Sequence, residues 1–456
     1  MDGEVAVLAQ RLAAEVADRL AHERDRRVAA GNGSGNGDGG AGKGHLTAAD
    51  QRAYARSLIA AALDEEAGRR LRDGRPALPP EVEDDVARQA FDRLFGLGRL
   101  QRYLDDERIT DIHVQGCDVV WLKHGDGSRH RGEPIADSDG ELVDLLRTAA
   151  ARAGRTERRF DSSQPELNLR LPDGSRLFAI MDVAARPSLT IRKHQFNLAY
   201  LGDLNARGTL GQPLQAFLRA AVLARKSIVI GGGIGCGKTT LMRALINEIP
   251  PDERLVTIED ALELDVDRFA QLHPNVVTLE AREPNMEGHG GISLEQLVRM
   301  GLRMDPDRVF VGEVRGSEVL PMLLAMSQGQ DGSMCTIHAN TARGVFRRLQ
   351  MYAMLPPHRL SPPDTAMLIA NAVDLVVHLD QQRDPRDGTT RRIATAVLEV
   401  RDVAGTEVVA NEVFRPGPDG RAVPTGTMHD ETLAALEEAG FDRSLLTQVG
   451  GQPAWS

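Results

Sequence analysis

Lysine is scarce in this chain. Only five of its 55 cationic residues are lysine, so Lys238 stands out. It lies in the run Gly231-Gly-Gly-Ile-Gly-Cys-Gly-Lys-Thr-Thr240. Within that run Gly232, Gly237, Lys238 and Thr239 satisfy the spacing G-x-x-x-x-G-K-[ST], and the flanks agree: Ser227-Ile-Val-Ile230 reads as a buried strand and the residues through Ile249 as a helix. Glycines let a backbone wrap a phosphate with its N–H groups pointing inward, and the helix N-terminus adds its dipole. Gly232, Gly233, Gly235, Cys236, Gly237, Lys238, Thr239 and Thr240 are therefore expected to cradle a nucleoside triphosphate. Lys238 would reach the β- and γ-phosphates, and the Thr239 hydroxyl would ligate Mg²⁺. At this composition the pattern is expected about 0.004 times by chance, so a plain glycine-rich turn is a poor alternative.

Hydrolysis asks for more: one carboxylate for the metal and one to orient water. Arg254-Leu-Val-Thr-Ile-Glu-Asp260 places Glu259 and Asp260 at the C-terminal end of a predicted strand, and Arg308-Val-Phe-Val-Gly-Glu-Val-Arg315 places Glu313 just past an apolar run. Ligands of open parallel sheets gather at those ends. Glu313 is expected to share the metal with Thr239, while Glu259 stands evenly between a catalytic acid and a capping or surface charge. His338, in Gly332-Ser-Met-Cys-Thr-Ile-His-Ala-Asn340, follows another short strand. Taken alone it reads as a structural histidine; its functional alternative is a γ-phosphate sensor.

The elements that must position these residues are legible in the periodicity. Val5, Leu8, Leu12, Val16 and Leu20 fall on one helical face, and the glycine-rich run 31–45 that follows reads as a flexible linker, so the helix 1–30 is expected to be a detached element. Residues 46–205 read as an α+β domain with an antiparallel sheet, since Leu167, Leu169 and Leu171 alternate with polar residues before the turn Pro172-Asp-Gly174. Strands and helices alternate from about 226 to 345, which predicts a parallel α/β core over 206–400, with 401–456 as a C-terminal extension.

Four stations in this order, Gly232 to Thr240, Thr257-Ile-Glu-Asp260, Gly312-Glu-Val-Arg-Gly316 and Gly332 to Asn340, resemble the phosphate loop, acidic box, Walker B box and histidine box of the type II/type IV secretion and pilus assembly ATPases. Arg170-Leu-Pro-Asp-Gly-Ser-Arg176 and Thr190-Ile-Arg192 resemble that family's N-terminal domain, and the branch most resembled is the CpaF-like ATPases of tight-adherence (Tad) pili. The resemblance implies a P-loop NTPase (RecA-like) core behind an α+β N-terminal domain, with ATP and Mg²⁺ as substrate and cofactor. It implies a homo-hexamer driving inner-membrane platform proteins from the cytoplasmic side. It also implies catalytic roles for Glu313 and Glu259, and phosphate contacts from Arg170, Arg176 and Arg192. Ile234 and Cys236 depart from the small polar residues usual in this loop, and Cys236 would be open to oxidation when no nucleotide covers it.

Composition narrows the alternatives. The net charge of -11 and the lack of an aromatic-basic stripe argue against direct nucleic-acid binding. No apolar run is long enough to span a bilayer, no secretory leader is expected, and three scattered cysteines suit a reducing cytosol. Two competing functions remain: a conjugation-type ATPase supporting DNA export, and a nucleotide-controlled scaffold with negligible turnover. The pairing of Glu259 with Glu313 speaks against the scaffold.

Overall fold

The computed structural model describes residues 2–31, 48–153, 159–194, 199–282, 284, 288–383 and 390–447. The chain forms two compact units that divide at Gln195.

The first unit opens with three helices, α1 (Asp2–Gly31), α2 (Ala48–Arg72) and α3 (Pro80–Phe95). Leu8, Leu12 and Val16 of α1 are buried with Ile59 of α2 and with Val86 and Ala90 of α3. The expectation of a detached first helix is therefore corrected: its apolar stripe leaves water by packing on the two helices that follow. The expected linker lies largely outside the described residues. An antiparallel six-stranded sheet comes next, in the order β3-β2-β1-β6-β5-β4. Its strands are β1 (Ile109–Gln115), β2 (Val119–His124), β3 (Arg129–Gly132), β4 (Glu166–Arg170), β5 (Arg176–Ile180) and β6 (Ser188–Arg192). The period-two pattern sends Leu167, Leu169, Leu177 and Ile191 to one face, where they share a core with Leu142 and Leu146 of the helix Asp139–Ala153.

The second unit is built on a nine-stranded sheet in the order β15-β14-β13-β12-β7-β11-β10-β8-β9. Its strands are β7 (Ile228–Gly232), β8 (Leu255–Glu259), β9 (Val276–Glu280), β10 (Arg308–Val314), β11 (Met334–His338), β12 (Leu375–Arg383), β13 (Thr390–Ala404), β14 (Glu407–Pro416) and β15 (Ala422–Pro424). The strands from β9 to β12 run parallel, and β13, β14 and β15 add an antiparallel edge. The expected boundary at 400 falls inside β13, so this edge continues the core sheet. Helices cover both faces, which is why β7 and β8 are buried along their whole length.

The strand order brings the C-terminal ends of β7, β11, β10 and β8 side by side. At the other end of β10, Arg308 is 1% exposed and spans both oxygens of Glu253 at 2.7 Å, while donating to the Val222 carbonyl at 2.8 Å. Gly332 sits there with φ +81°, and a Cβ on it would come within 2.7 Å of the Arg308 guanidinium. The glycine that opens the histidine box thus serves packing and backbone conformation. Arg308→Ala is expected to destabilise the protein by about 3 kcal/mol, the low end for a broken buried pair because Arg225 still meets Glu253. Chemical denaturation measures it, and a loss under about 1 kcal/mol would show that the cluster does not hold this end of the sheet.

Candidate active site

The loop after β7 has the conformation its glycines allow. Gly235 and Gly237 have φ of +73° and +96°, a region that side chains with a Cβ rarely enter. A Cβ on Gly232 would fall 2.5 Å from both the Cys236 sulfur and the Leu379 carbonyl oxygen. The helix Lys238–Ile246 starts directly at the end of the loop.

Lys238 is almost enclosed. Its Nζ donates to the carbonyls of Gly233 at 2.9 Å and Gly232 at 3.2 Å, and it meets Nδ1 of His338 at 3.2 Å. An ammonium can only donate, so Nδ1 must accept. His338 is then neutral with its proton on Nε2, which faces Glu313 Oε1 at 2.5 Å. Burial also moves the His338 pKa below that of a free imidazole, with Lys238 acting in the same direction against the opposing pull of Glu313. Lysine, histidine and glutamate thus stand in one row, from the helix after the loop, β11 and β10: Lys238 is hydrogen-bonded to His338, and His338 is in close contact with Glu313, whose buried Oε1 has no hydrogen-bond donor among the described residues.

The acidic box takes a form that spacing alone did not reveal. Glu259 is 2% exposed; its Oε1 accepts from the backbone N–H of Glu263 at 2.9 Å and of Leu264 at 3.0 Å. It therefore fixes the turn after β8. Burial pushes its carboxyl up to about 8, against the two backbone hydrogen bonds. Gly312 makes room for it, since a Cβ there would lie 2.9 Å from Glu259 Cγ. The side chain this turn presents to the phosphate loop is Glu263, whose Oε2 accepts from Thr239 Oγ1 at 3.5 Å. Arg243 donates to the Glu263 carbonyl. Sequence reasoning passed over Glu263; the signal was a second glutamate four residues after Glu259.

Cys236 also differs from expectation. Its sulfur faces the core, the residue is 1% exposed, and burial raises the thiol pKa. An enclosed, protonated thiol is a poor target for oxidation, so that expectation is corrected.

Arg170, Arg176 and Arg192 lie together in the first unit. Arg170 pairs with Arg176, Arg176 with Arg192, and Arg192 with Asp111 across β4, β5, β6 and β1. Directly opposed residues share a sheet face, and like charges so placed repel. Asp111 stands at the end of the same row, beside Arg192, as an opposite charge.

The donors brought together at Thr239 are hard oxygens, its own hydroxyl and the Glu263 carboxylate. Among the described residues no group of three or more histidines, cysteines or acids could hold a metal by itself. Mg²⁺ commonly takes one or two protein oxygens and fills its shell with phosphate and water, so the set fits an ion carried in with a nucleotide.

Residues 94–422 match the family described as Type II/IV secretion system protein. The chain belongs to that family. This secretion ATPase, an ATP-hydrolysing enzyme, is 36% identical over 323 residues to a Mycobacterium tuberculosis protein provisionally named for conjugal transfer; the match covers 68% of this chain and 86% of that protein. It is 32% identical over 345 residues to the type IV secretion system protein VirB11 of Brucella suis, covering 69% and 92% of the two chains. A crystal structure of the Brucella suis VirB11 ATPase in complex with sulphate is similar over 68% of this chain and 97% of that one, at 29% identity and a TM-score of 0.35.

The raised carboxyl of Glu259 makes the stability of the secretion ATPase depend on pH. Its pKa of about 8 in the fold exceeds the value of 4.5 for a free glutamate, so its contribution is complete below about pH 4.5 and is lost as pH rises through about 8. Glu259→Gln cannot ionise. Thermal melts at pH 5, 7 and 9 should show the variant gaining stability relative to wild type at each step, and parallel curves would contradict the burial argument.

Proposed function

We propose that this secretion ATPase is the motor of a closed six-membered ring at the inner face of the cytoplasmic membrane, where hydrolysis drives the platform proteins of a pilus or secretion assembly. The observation that carries the reading is the Lys238–His338–Glu313 row at the mouth of the phosphate loop. The inward N–H groups of the Gly232–Thr240 loop bind the phosphates. Lys238 exchanges His338 and the two carbonyls for phosphate oxygens. His338, released, reports on the γ-phosphate. Glu313, with Glu263, orients the attacking water. When bound, Mg²⁺ would be held by Thr239 and Glu313 and would neutralise phosphate charge. Glu259 acts through the turn it fixes.

Arg170, Arg176 and Arg192 belong to the first unit, and their shared sheet face is assigned to phosphate contacts. A head-to-tail contact repeated around a ring would couple the turnover of one subunit to the next. Among the described residues no helix is long and apolar enough to cross a membrane, so we assign recruitment to partner proteins. The tight-adherence pilus branch is our reading of the four sequence boxes. The conjugal-transfer name carried by the Mycobacterium tuberculosis relative favours a second reading, support of DNA export.

Three results test the motor. Glu313→Gln should keep Mg-ATP binding and lose at least about 100-fold in phosphate release, while Lys238→Ala should lose both; wild-type turnover in either would move the active site elsewhere. Replacing Arg170, Arg176 and Arg192 together by alanine should lower kcat more than nucleotide affinity. Full activity in that folded variant, or in a strictly monomeric preparation, would overturn the ring.

A further inference from the structure

β12 lies in parallel register beside β7, with His378 next to Gly231 and Leu379 next to Gly232. β7 ends at Gly232, but β12 runs on to Arg383. Asp380 to Arg383 therefore continue alongside the phosphate loop, braced by β13. Two side chains of the β12–β13 ribbon approach the loop. Gln381 Nε2 donates to the Gly235 carbonyl at 2.5 Å. Arg392 pairs with Gln381 across the ribbon, and its Cδ stands 3.5 Å from where a Cβ on Gly237 would be. The carboxylates and the histidine lie on the other flank of β7, at the ends of β11, β10 and β8.

The carbonyl that Gln381 holds belongs to the peptide joining Gly235 to Cys236. In a planar trans peptide the C=O and the following N–H point in opposite directions. Fixing the Gly235 oxygen outward, toward β12, therefore fixes the Cys236 N–H on the side away from it. Gly235, with φ +73°, has a permissive backbone, so a hydrogen bond from outside the loop has a large choice of conformations to remove.

We propose that Gln381 is a positioning residue for nucleotide binding, presetting the phosphate loop through the Gly235 carbonyl so that the Cys236 N–H is already aimed at the anion. The role rests on the nucleotide reading of the loop. It concerns groups common to ATP and ADP, on the flank away from Glu313 and His338. Removing it should weaken both nucleotides equally and leave the chemical step alone.

The test uses the full chain and three variants. Gln381→Ala deletes the donor, Gln381→Glu sets a carboxylate against the carbonyl, and Gln381→Lys restores a donor. Gln381 is exposed, so the fold should survive each change, which thermal melts verify. Titration with ADP and steady-state phosphate release with ATP are then measured. Alanine should raise the ADP Kd and the ATP KM about three- to tenfold with kcat within twofold, glutamate more, and lysine should stay near wild type. Unchanged ADP binding in the alanine and glutamate variants, or a fall in kcat at constant KM, would overturn the proposal. Failure of the wild-type chain to bind ADP would instead overturn the nucleotide reading.

Discussion

An ammonium enclosed at the end of a parallel sheet must find acceptors, and Lys238 finds them in two loop carbonyls and one imidazole. This requirement organises the site. The carbonyls are available because the glycine loop turns its peptides toward the lysine. The imidazole is available because β11 lies next to β7, with His338 level with Gly232. The imidazole accepts only if it is neutral, and its remaining proton is then on Nε2, 2.5 Å from Glu313 Oε1 on the next strand. A nucleotide offering better acceptors to Lys238 would disturb every member of that row at once. Lys238 and Glu313, 75 residues apart in sequence by 313 − 238, meet the same imidazole from its two sides.

The acidic box shows a division of labour between two glutamates. Glu259 is spent on backbone N–H groups and gives the turn its shape, whereas Glu263 is the acid the turn presents to Thr239. Gly312 belongs to the same device, because only its missing Cβ lets β10 pass the Glu259 side chain. The Gly-Glu pair of the Walker B box therefore has two jobs on neighbouring strands: the glycine accommodates Glu259, and the glutamate meets His338.

Much of this was legible in the sequence because it depends on short-range pattern. The phosphate loop, the strands that carry Glu259, Glu313 and His338, and the alternation of Leu167 and Leu169 all follow from local spacing. What could not be read depends on pairing between distant segments. The partners of α1 lie in α2 and α3, far along the chain, so its stripe looked unpartnered. The direction of the Glu259 carboxyl depends on the path of the turn after it, and the burial of Cys236 on core neighbours from other elements. Gln381 has no motif around it and acquires its place only because β12 outruns β7. The arginines were found through resemblance, yet their register across β4, β5 and β6 is a property of the sheet.

The central claim is that Lys238 is passed from protein acceptors to phosphate, freeing His338. The most direct measurement is the ¹⁵N spectrum of the ring nitrogens of His338 in histidine-labelled protein, assigned with His338→Gln and titrated with Mg-ADP and with a non-hydrolysable ATP analogue. Without nucleotide the account predicts a neutral ring, protonated on Nε2, with Nδ1 accepting a hydrogen bond and a pKa below that of free imidazole. At saturation the Nδ1 resonance should shift as the lysine leaves, and further with the triphosphate analogue than with ADP. A His338 spectrum that is unchanged by saturating nucleotide would contradict it.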